Sequence, residues 1–581
     1  MAEIDGGEML VRVLEAERIR ELFTLHGGHL DAIYQAALNH GLRLVDTRHE
    51  QAAGHAADGW ARTTGQIGVA IVTAGPGVTD VITAVANAYL DCVPTLFIGG
   101  AAPLADAETL PLQGGFDQLD LMRPVTKWAH RVTHPHRIPD LVAQALRTAT
   151  TGRPGPVYLE IPIDVLFARV DESRPLFPRT VRPDAAPAPA PAAVERAIAM
   201  LHGAERPAIL AGGGAWFSGA TRELVAFAER TGIPVFVNAK ARGMIPDDHP
   251  LAGRSFANLG AAAKLAGGGA DVVMLVGARL GLFTGGRSGE LLGAARLIQI
   301  DIAGEEIGRN REVDVAIVAD CREALRALDD AASAERWPGR PTWQRAVGEA
   351  RVLHRQMFRD ASAKDGPPIH PYRLADAITR VVEREAVLVA DGGETSSWLD
   401  MVAEVRGGGH WLSHGYLGCL GTGMPFAIAA KLAHPSRQVL CITGDGSVGL
   451  NFAEFDTMVR HRLAITTVVN NDRQWGMSAH GQQLIYGKER QVVTELAPTR
   501  YDLAAAGFGC HAEHVEEPRD LIPALERALA SGKAACVNVM TDPEVIAPVT
   551  LAMYGAFKPS VEGKEKKGGR VAMPYYGEGD T

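Results

Sequence analysis

The sequence predicts an α/β protein built from three doubly wound parallel-sheet domains, followed by a C-terminal tail or lid. Three observations lead there. The chain has 581 residues, well beyond the ~250–300 at which a single hydrophobic core stops growing. Short β-branched apolar runs alternate with Ala/Leu-rich helical stretches along most of it, the pattern of a sheet covered on both faces. Two proline-rich stretches then divide this pattern into blocks.

The first divider is residues 172–193, ESRPLFPRTVRPDAAPAPAPAA, whose proline and alanine stiffen an exposed connection rather than build a core. The second spans roughly 331–370, where WPGRP and KDGPPIHP bracket a charged helical stretch. The expected domains are therefore 1–175, 190–335 and 366–545, with a tail at 546–581. The first block carries the runs VAIVTAG, TLFIGG and VYLEIP. The second carries PAILAGGG, PVFVNA, VVMLVG and LIQIDI, and the third AVLVADGG, VLCITGDGS, ITTVVNN and CVNVMT. In such sheets ligands bind at the carboxyl ends of the strands, so chemistry is sought just after each run.

Composition removes several function classes. With 46% hydrophobic and 22% charged residues the chain has the make-up of a globular protein. A formal net charge of −10 argues against nucleic acid as a partner. The six cysteines lack C-x-x-C spacing, which fits reduced thiols and a cytoplasmic location. The opening segment carries acids where a signal peptide needs an apolar core. No run of about 18 apolar residues offers a membrane span.

The strongest chemical signal lies in the third block. Gly444-Asp445-Gly446-Ser447 ends one strand and Asn470-Asn471-Asp472 ends the next. Two oxygen ligands on adjacent strand ends can hold a hard divalent cation that keeps positions open for phosphate oxygens. Gly446 and Ser447 open the following helix, so their N–H groups can face a diphosphate. Taken alone, GDGS is also an ordinary strand-to-helix turn with a capping acid. The Asn-Asn-Asp at the next strand end is what favours the cation.

This pair of motifs resembles the cofactor-binding segment of the thiamine-diphosphate enzymes related to acetolactate synthase and oxalyl-CoA decarboxylase. The resemblance runs along almost the whole chain. It makes the three domains pyrimidine-binding, middle and diphosphate-binding, and implies thiamine diphosphate and Mg²⁺ as cofactors. Asp445, Asp472 and the backbone carbonyl of Gln474 become the implied metal ligands, with Asp472 where many relatives have asparagine. A second mark is Glu50, after Thr47-Arg48-His49. The resemblance implies that its carboxylate bonds N1′ of the aminopyrimidine, favouring the tautomer that removes the thiazolium C2 proton. Alone, Glu50 is as readily a helix-capping acid. Thr73-Ala74-Gly75-Pro76-Gly77-Val78 at the next strand end is a further family segment, with Gly75 and Pro76 against the cofactor.

A third mark is Gly415-Tyr416-Leu417-Gly418-Cys419-Leu420-Gly421-Thr422-Gly423-Met424-Pro425. By resemblance Leu420 is the apolar wedge that bends the cofactor, and the Gly418 carbonyl accepts from its 4′-amino group. Thr395 and Ser396, after Asp391-Gly392-Gly393-Glu394, have hydroxyls suited to the diphosphate. Because the marks fall in two blocks that meet across subunits in this family, the resemblance implies a homodimer at least and commonly a homotetramer.

The substrate is read from departures within the family. Acetolactate synthases show Arg-Phe-Asp-Asp-Arg in the middle block, their second arginine meeting the acceptor keto acid, whereas this chain has Arg279-Leu280-Gly281-Leu282-Phe283. Their tryptophan beside the acceptor aligns with Gly481, and a Phe-Gln pair is replaced by Gln113-Gly114. All three changes are expected to open or neutralise the acceptor pocket. Asp117-Gln118, Pro124 and Lys127 resemble oxalyl-CoA decarboxylases and 2-hydroxyacyl-CoA lyases in part. The tail offers Tyr554-Gly555-Ala556-Phe557-Lys558, Lys564, Lys566, Lys567, Arg570 and Tyr575-Tyr576. These are cations for the phosphates of coenzyme A and aromatics for a lid, or else a solvated terminus. The combination looks most like a 2-hydroxyacyl-CoA lyase of the 2-hydroxyisobutyryl-CoA type, with an acyl-CoA substrate. Glu495 is its candidate acid/base and Gln113 the candidate group orienting the substrate oxygen, though each could equally be a surface residue. Gly212-Gly213-Gly214 and Asp301 are candidates for contact with an ADP or CoA nucleotide. The rival reading is a keto-acid carboligase or decarboxylase of the acetolactate synthase type.

Overall fold

A computed structural model describes residues 2–284, 291–554, 571–573 and 577–579. Of the tail named above, everything from Gly555 to Arg570 and Tyr575-Tyr576 lies outside the described residues, as does the Phe283 side chain. Among the described residues, no helix is long and apolar enough to cross a membrane. All six cysteines are unpaired.

Three six-stranded sheets, each wholly parallel, form the three modules. The first comprises Glu21–Thr24 (β1), Arg43–Asp46 (β2), Gly68–Val72 (β3), Thr95–Ala101 (β4), Trp128–Arg131 (β5) and Pro156–Pro162 (β6). Its order is β2-β1-β3-β4-β6-β5. The second holds Pro207–Ala211 (β7), Val235–Val237 (β8), Ala252–Ser255 (β9), Val272–Val276 (β10), Arg296–Asp301 (β11) and Val315–Val318 (β12), in the order β9-β8-β7-β10-β11-β12. The third holds Val387–Ala390 (β13), Trp411–Ser413 (β14), Val439–Gly444 (β15), Thr466–Asn471 (β16), His511–Val515 (β17) and Ala535–Met540 (β18). It runs β14-β13-β15-β16-β18-β17, the same permutation as the first. Strands such as β3, β4 and β6 are buried along their whole length, which is why they read as continuous apolar runs rather than alternating ones.

The first and third modules share one core. Helix α1 (Glu50–Thr64) crosses helix α4 (Gly423–Ala433), and the small residues Ala53, Ala56, Ala57, Ala427 and Ala430 are fully buried between them and their sheets. Gly59 is required at the crossing, because a Cβ there would lie 2.9 Å from the Phe426 Cα. A buried polar node joins all three modules beside this crossing. Arg62 pairs with Asp58 at 2.6 Å and with Asp91 at 2.8 Å, and Lys240 of the middle module reaches Asp91 at 3.2 Å. Asp91 also accepts the N–H of Tyr416 at 3.2 Å. Gly415 passes so close to this carboxylate that no side chain fits there. The node thus fixes the start of the segment that leads to Leu420.

The middle module gives its glycine run a packing role. A Cβ on Gly212 would lie 2.3 Å from the Gly277 carbonyl, and one on Gly214 2.8 Å from the Gly277 Cα. The backbones of two strand-end turns therefore touch, which accounts for these glycines without a ligand.

Candidate active site

Three strand ends of the third module converge. After β13, Gly392 (φ 89°) turns the chain into helix α3 (Gly393–Val402), which opens with Glu394, Thr395 and Ser396, all buried. After β15, Asp445-Gly446-Ser447 forms a single helical turn, and after β16 the chain reaches Asp472 and then helix α5 (Gly476–Tyr486). The Asn470 amide donates to Thr395 Oγ1 at 3.0 Å, and a Cβ on Gly392 would lie 3.1 Å from Ser447 Oγ. Thr395, Ser447, Asp445 and Asp472 thus gather at the carboxyl end of one sheet, where a doubly wound fold keeps its ligands.

The electrostatics of this corner call for a cation. Asp445 is 2% exposed; one of its oxygens accepts the Gly446 N–H at 2.9 Å, and the other is buried without a hydrogen-bond partner among the described residues. Burial, and then the charge of Asp472, push its pKa far above the ordinary carboxylate range, and burial raises Asp472 as well. The Asn470 side-chain oxygen is a second buried acceptor without a hydrogen-bond partner among the described residues. Unpaired buried carboxylate oxygens are costly unless a cation completes them. The two carboxylates and the Asn470 amide offer oxygen donors, which match a hard divalent ion.

Gln474 fits the third ligand position through its backbone. Gln474 and Glu495 face each other in an isolated antiparallel bridge, flanked by Trp475 N–H to Thr494 O and Leu496 N–H to Arg473 O, both 2.8 Å. This ladder uses the Arg473 and Thr494 carbonyls and leaves that of Gln474 outside it. The Gln474 side-chain amide donates to Pro543 O at 2.9 Å and, more distantly, to Asp472 at 3.5 Å. Glu495, exposed, therefore stands directly across from the metal loop. The Gly446 N–H, expected to face the diphosphate, is taken by Asp445 in this geometry, and the Trp475 ring covers Gly446.

The wedge segment hangs from the same sheet. Asp391, whose pKa burial pushes up to about 6, accepts the N–H groups of Gly392 at 2.8 Å and Gly423 at 3.1 Å, fixing the start of α4. Leu420 is half-buried, while Gly418 (φ 67°) has open space where a Cβ would stand, so a flat ring can lie against its backbone.

In the first module Glu50 is 6% exposed at the start of α1, where His49 caps the helix. The ionisable side chains gathered round it are His49 and Asp80. Gly75 (φ 68°) precedes Pro76 at the head of helix α2 (Pro76–Asp91). A Cβ on Gly75 would meet the Gln113 Cβ at 2.9 Å. Gln113 itself has φ 59°, a strained conformation for a residue other than glycine, and is held against Gly75. Thus two of the expected residues, Gly75 and Gln113, adjoin.

Sequence reasoning left the placement of three supports undetermined. Gln118 is buried and accepts the Gly75 N–H at 2.7 Å while donating to Gly100 O and Glu160, so it sets the height of the Gly75 turn. The Asp117-Gln118 pair had drawn notice only as a resemblance. Glu394 and His480 form a buried pair, Nδ1 to Oε2 2.9 Å, and His480 Nε2 donates to Pro543 O at 2.8 Å. Nothing in the spacing of those two residues announces it.

The third is Tyr554. The room expected at Gly481 is filled, since the Tyr554 ring lies 2.8 Å from where a Gly481 Cβ would stand. The expectation that this change opens the pocket is corrected by that contact, because an aromatic ring reaches the place from the C-terminal helix. Arg279 likewise is occupied, donating to Leu90 O at 2.6 Å and stacking 5.4 Å from the Tyr416 ring centroid.

The fold is that of a parallel α/β protein whose buried acids gather at the strand ends of the third sheet. Comparison with known proteins resolves it further. Residues 4–121 match the N-terminal TPP binding domain of thiamine pyrophosphate enzymes, 194–328 the central domain, and 391–539 the C-terminal TPP binding domain. The chain belongs to the thiamine-diphosphate-dependent enzymes of the acetolactate synthase and oxalyl-CoA decarboxylase superfamily. It is 37% identical over 544 residues to the acetolactate synthase large subunit IlvG of Mycobacterium tuberculosis, covering 94% of this chain and 97% of that one. Similarity to the probable acetolactate synthase large subunit of Methanocaldococcus jannaschii is 32% over 554 residues, 94% of this chain and 93% of that one. To 2-hydroxyacyl-CoA lyase 2 of Homo sapiens it is 31% over 579 residues, 92% of this chain and 90% of that one.

Proposed function

We propose that the protein is a Mg²⁺- and thiamine-diphosphate-dependent carbon–carbon lyase, cleaving a 2-hydroxyacyl-CoA to formyl-CoA and a ketone or aldehyde and running the reverse condensation. The observation that carries this reading is the neutral acceptor side. Phe283 stands where the acetolactate synthase pattern has its keto-acid arginine, and Arg279 is committed to Leu90 and Tyr416. Without an arginine at position 283, a carboxylate arriving there lacks the partner that offsets its desolvation in the acetolactate synthase pattern, whereas a ketone or aldehyde needs none.

The bound coenzyme supplies a carbon that stores the electron pair of the broken bond. Asp445, Asp472 and the Gln474 carbonyl hold the Mg²⁺, and Thr395 and Ser447 line the adjoining phosphate cradle. Glu50 holds a proton at the pyrimidine nitrogen. Gln113, locked against Gly75, orients the substrate oxygen. Glu495 takes the 2-hydroxyl proton as the C1–C2 bond breaks, leaving a carbonyl on C2, and the proton returned to C1 makes the formyl thioester. Glu50 on the first module and the metal loop on the third favour a homodimer at least, arranged as a homotetramer, in which the cofactor bridges two chains. A nucleotide on the middle module is not part of this reading, because backbone packing accounts for Gly212 and Gly214.

The test is direct. Enzyme loaded with Mg²⁺ and thiamine diphosphate is given 2-hydroxyisobutyryl-CoA and other 2-hydroxyacyl-CoA thioesters, with formyl-CoA followed by chromatography. Pyruvate is supplied in parallel. The second reading, a keto-acid carboligase, is favoured by the 37% identity to the mycobacterial synthase. Acetolactate from pyruvate, with no formyl-CoA from any thioester, replaces the first reading with the second.

A further inference from the structure

The stretch joining the second and third modules leaves a cavity of about 520 Å³ against the third module. On one side stand the helices Leu353–Met357 and Arg359–Ala363, and on the other the helix Pro371–Val381 and the residues after α3. Leu388, the second residue of β13, and Val402, the last of α3, also line it. Val402 lies about 12 Å along the helix from Glu394. The cavity is therefore at the opposite end of the third sheet from the metal corner. Its volume falls among those of small-molecule sites, about 300–1,000 Å³.

The lining is cationic. Arg355, Arg359, Arg380, Arg384 and Arg406 face it, with Asp376, Glu383 and Glu404 as the acids. Those acids are shared thinly. Glu404 serves Arg406 at 2.6 Å, Arg254 at 3.1 Å and Arg355 at 3.3 Å, and Asp248 serves both Arg384 and Arg406. Arg380 takes Asp376, and Arg359 has no ion pair among the described residues. Counting Arg254 and Asp248, six guanidinium groups meet four carboxylates, which leaves two positive charges over. Arg254 is 4% exposed, and its Nε and Nη1 have no hydrogen-bond partner among the described residues.

A second observation comes from His354, which lines the cavity and is 9% exposed. Burial, then the charges of Arg254 and Arg355, bring its pKa down to about 4, so the ring is neutral at pH 7. With Nδ1 accepting from the Tyr372 hydroxyl at 3.1 Å, the hydrogen sits on Nε2. That nitrogen is buried without a partner among the described residues. A buried donor beside surplus arginines lacks an acceptor.

The geometry points to this cavity as a binding site for a phosphorylated small metabolite, its phosphate dianion held by Arg355, Arg359 and the His354 Nε2–H. Two negative charges match the two left over, and planar guanidinium groups suit phosphate oxygens. The rest of the metabolite fills the volume between the linking helices and the third module, and so braces the two together. The inference is independent of the reaction proposed above.

The experiment titrates holoenzyme calorimetrically at low salt with ribose 5-phosphate, AMP and inorganic phosphate. Saturating Mg²⁺ and thiamine diphosphate keep the cofactor site closed to these probes. The expected result is one site per chain with Kd below about 1 mM for at least one ester. Arg355→Met/Arg359→Met removes two exposed side chains and should weaken that binding at least about tenfold. Arg222→Met, an exposed arginine of the second module, should leave it unchanged. Tighter binding of AMP assigns a nucleotide, and tighter binding of ribose 5-phosphate a sugar phosphate. Inorganic phosphate binding as well as both esters means that the cavity reads charge alone, and overturns the proposal. So does the absence of binding by either ester at millimolar concentration, or binding that the double variant does not weaken. The readout is heat rather than turnover, so it stands whichever reaction the enzyme performs.

Discussion

Replacing Asp91 with asparagine tests the node that joins the three modules. Arg62 and Lys240 contribute two positive charges and Asp58 and Asp91 two negative ones, all in a region where Asp91 is 1% and Arg62 3% exposed. Asp91→Asn keeps the shape but leaves one net positive charge buried. Breaking a buried pair from one side costs about 3–5 kcal/mol. The lower end applies here, because Arg62 retains Asp58 and because burial already lowers the pKa of Lys240, easing its escape to the neutral form. A loss of about 3 kcal/mol is a large share of a typical net stability of about 5–15 kcal/mol. Asp91→Asn/Lys240→Met makes the node neutral again and should recover most of the loss. The assay is urea unfolding of the cofactor-free protein followed by circular dichroism, taking the first transition since three modules share the chain. Thiamine diphosphate affinity is measured alongside, as Tyr416 leads into the Leu420 segment. A midpoint unchanged in the single variant, or a double variant no better than the single, refutes the reasoning.

Glu50→Gln should lower kcat by about 10²–10⁴-fold while changing cofactor affinity far less, read from steady-state rates and calorimetric titration. Gly75→Ala places a Cβ 2.9 Å from that of Gln113 at φ 68° and should cost about 1–3 kcal/mol, seen as a lower melting temperature and a raised KM. Glu454, fully buried, has its pKa pushed up to about 7 chiefly by burial. Its folded pKa lies above the unfolded value, so its contribution is intact below about pH 4.5 and is lost as pH rises through about 7, by about 3 kcal/mol at most. Glu454→Gln should therefore gain stability over the wild type at pH 8 and little at pH 4.5, checked by urea midpoints across that range.

The three sheets were legible because buried parallel strands leave uninterrupted β-branched runs such as VAIVTAG and VLCITG. That Asp445 and Asp472 gather at one end of the third sheet was legible because these acids follow two such runs directly. What escaped were contacts whose partners are distant in sequence. Gln118 acts on Gly75, Glu394 on Thr550, and Tyr554 on Gly481. Local pattern carries no trace of these, since each depends on how separate strand ends meet. Gly481 is the instructive case. A missing side chain reads as empty space in one dimension, yet in three it is the imprint of another residue. The glycine run at 212–214 is the reverse case: it suggested a nucleotide contact, and close backbone packing against Gly277 by itself calls for glycine at 212 and 214.

The first and third sheets share one strand permutation, and they abut through α1 and α4, each of which follows the second strand of its own sheet. The first and third modules thus pair like two subunits of a pseudo-dimer within one chain. At the end of the third strand one copy carries Gly75 and the other Asp445; after the second strand one carries Glu50 and the other Leu420. On the proposed function, the twins divide the labour, one serving proton handling and its sibling the anchoring of charge.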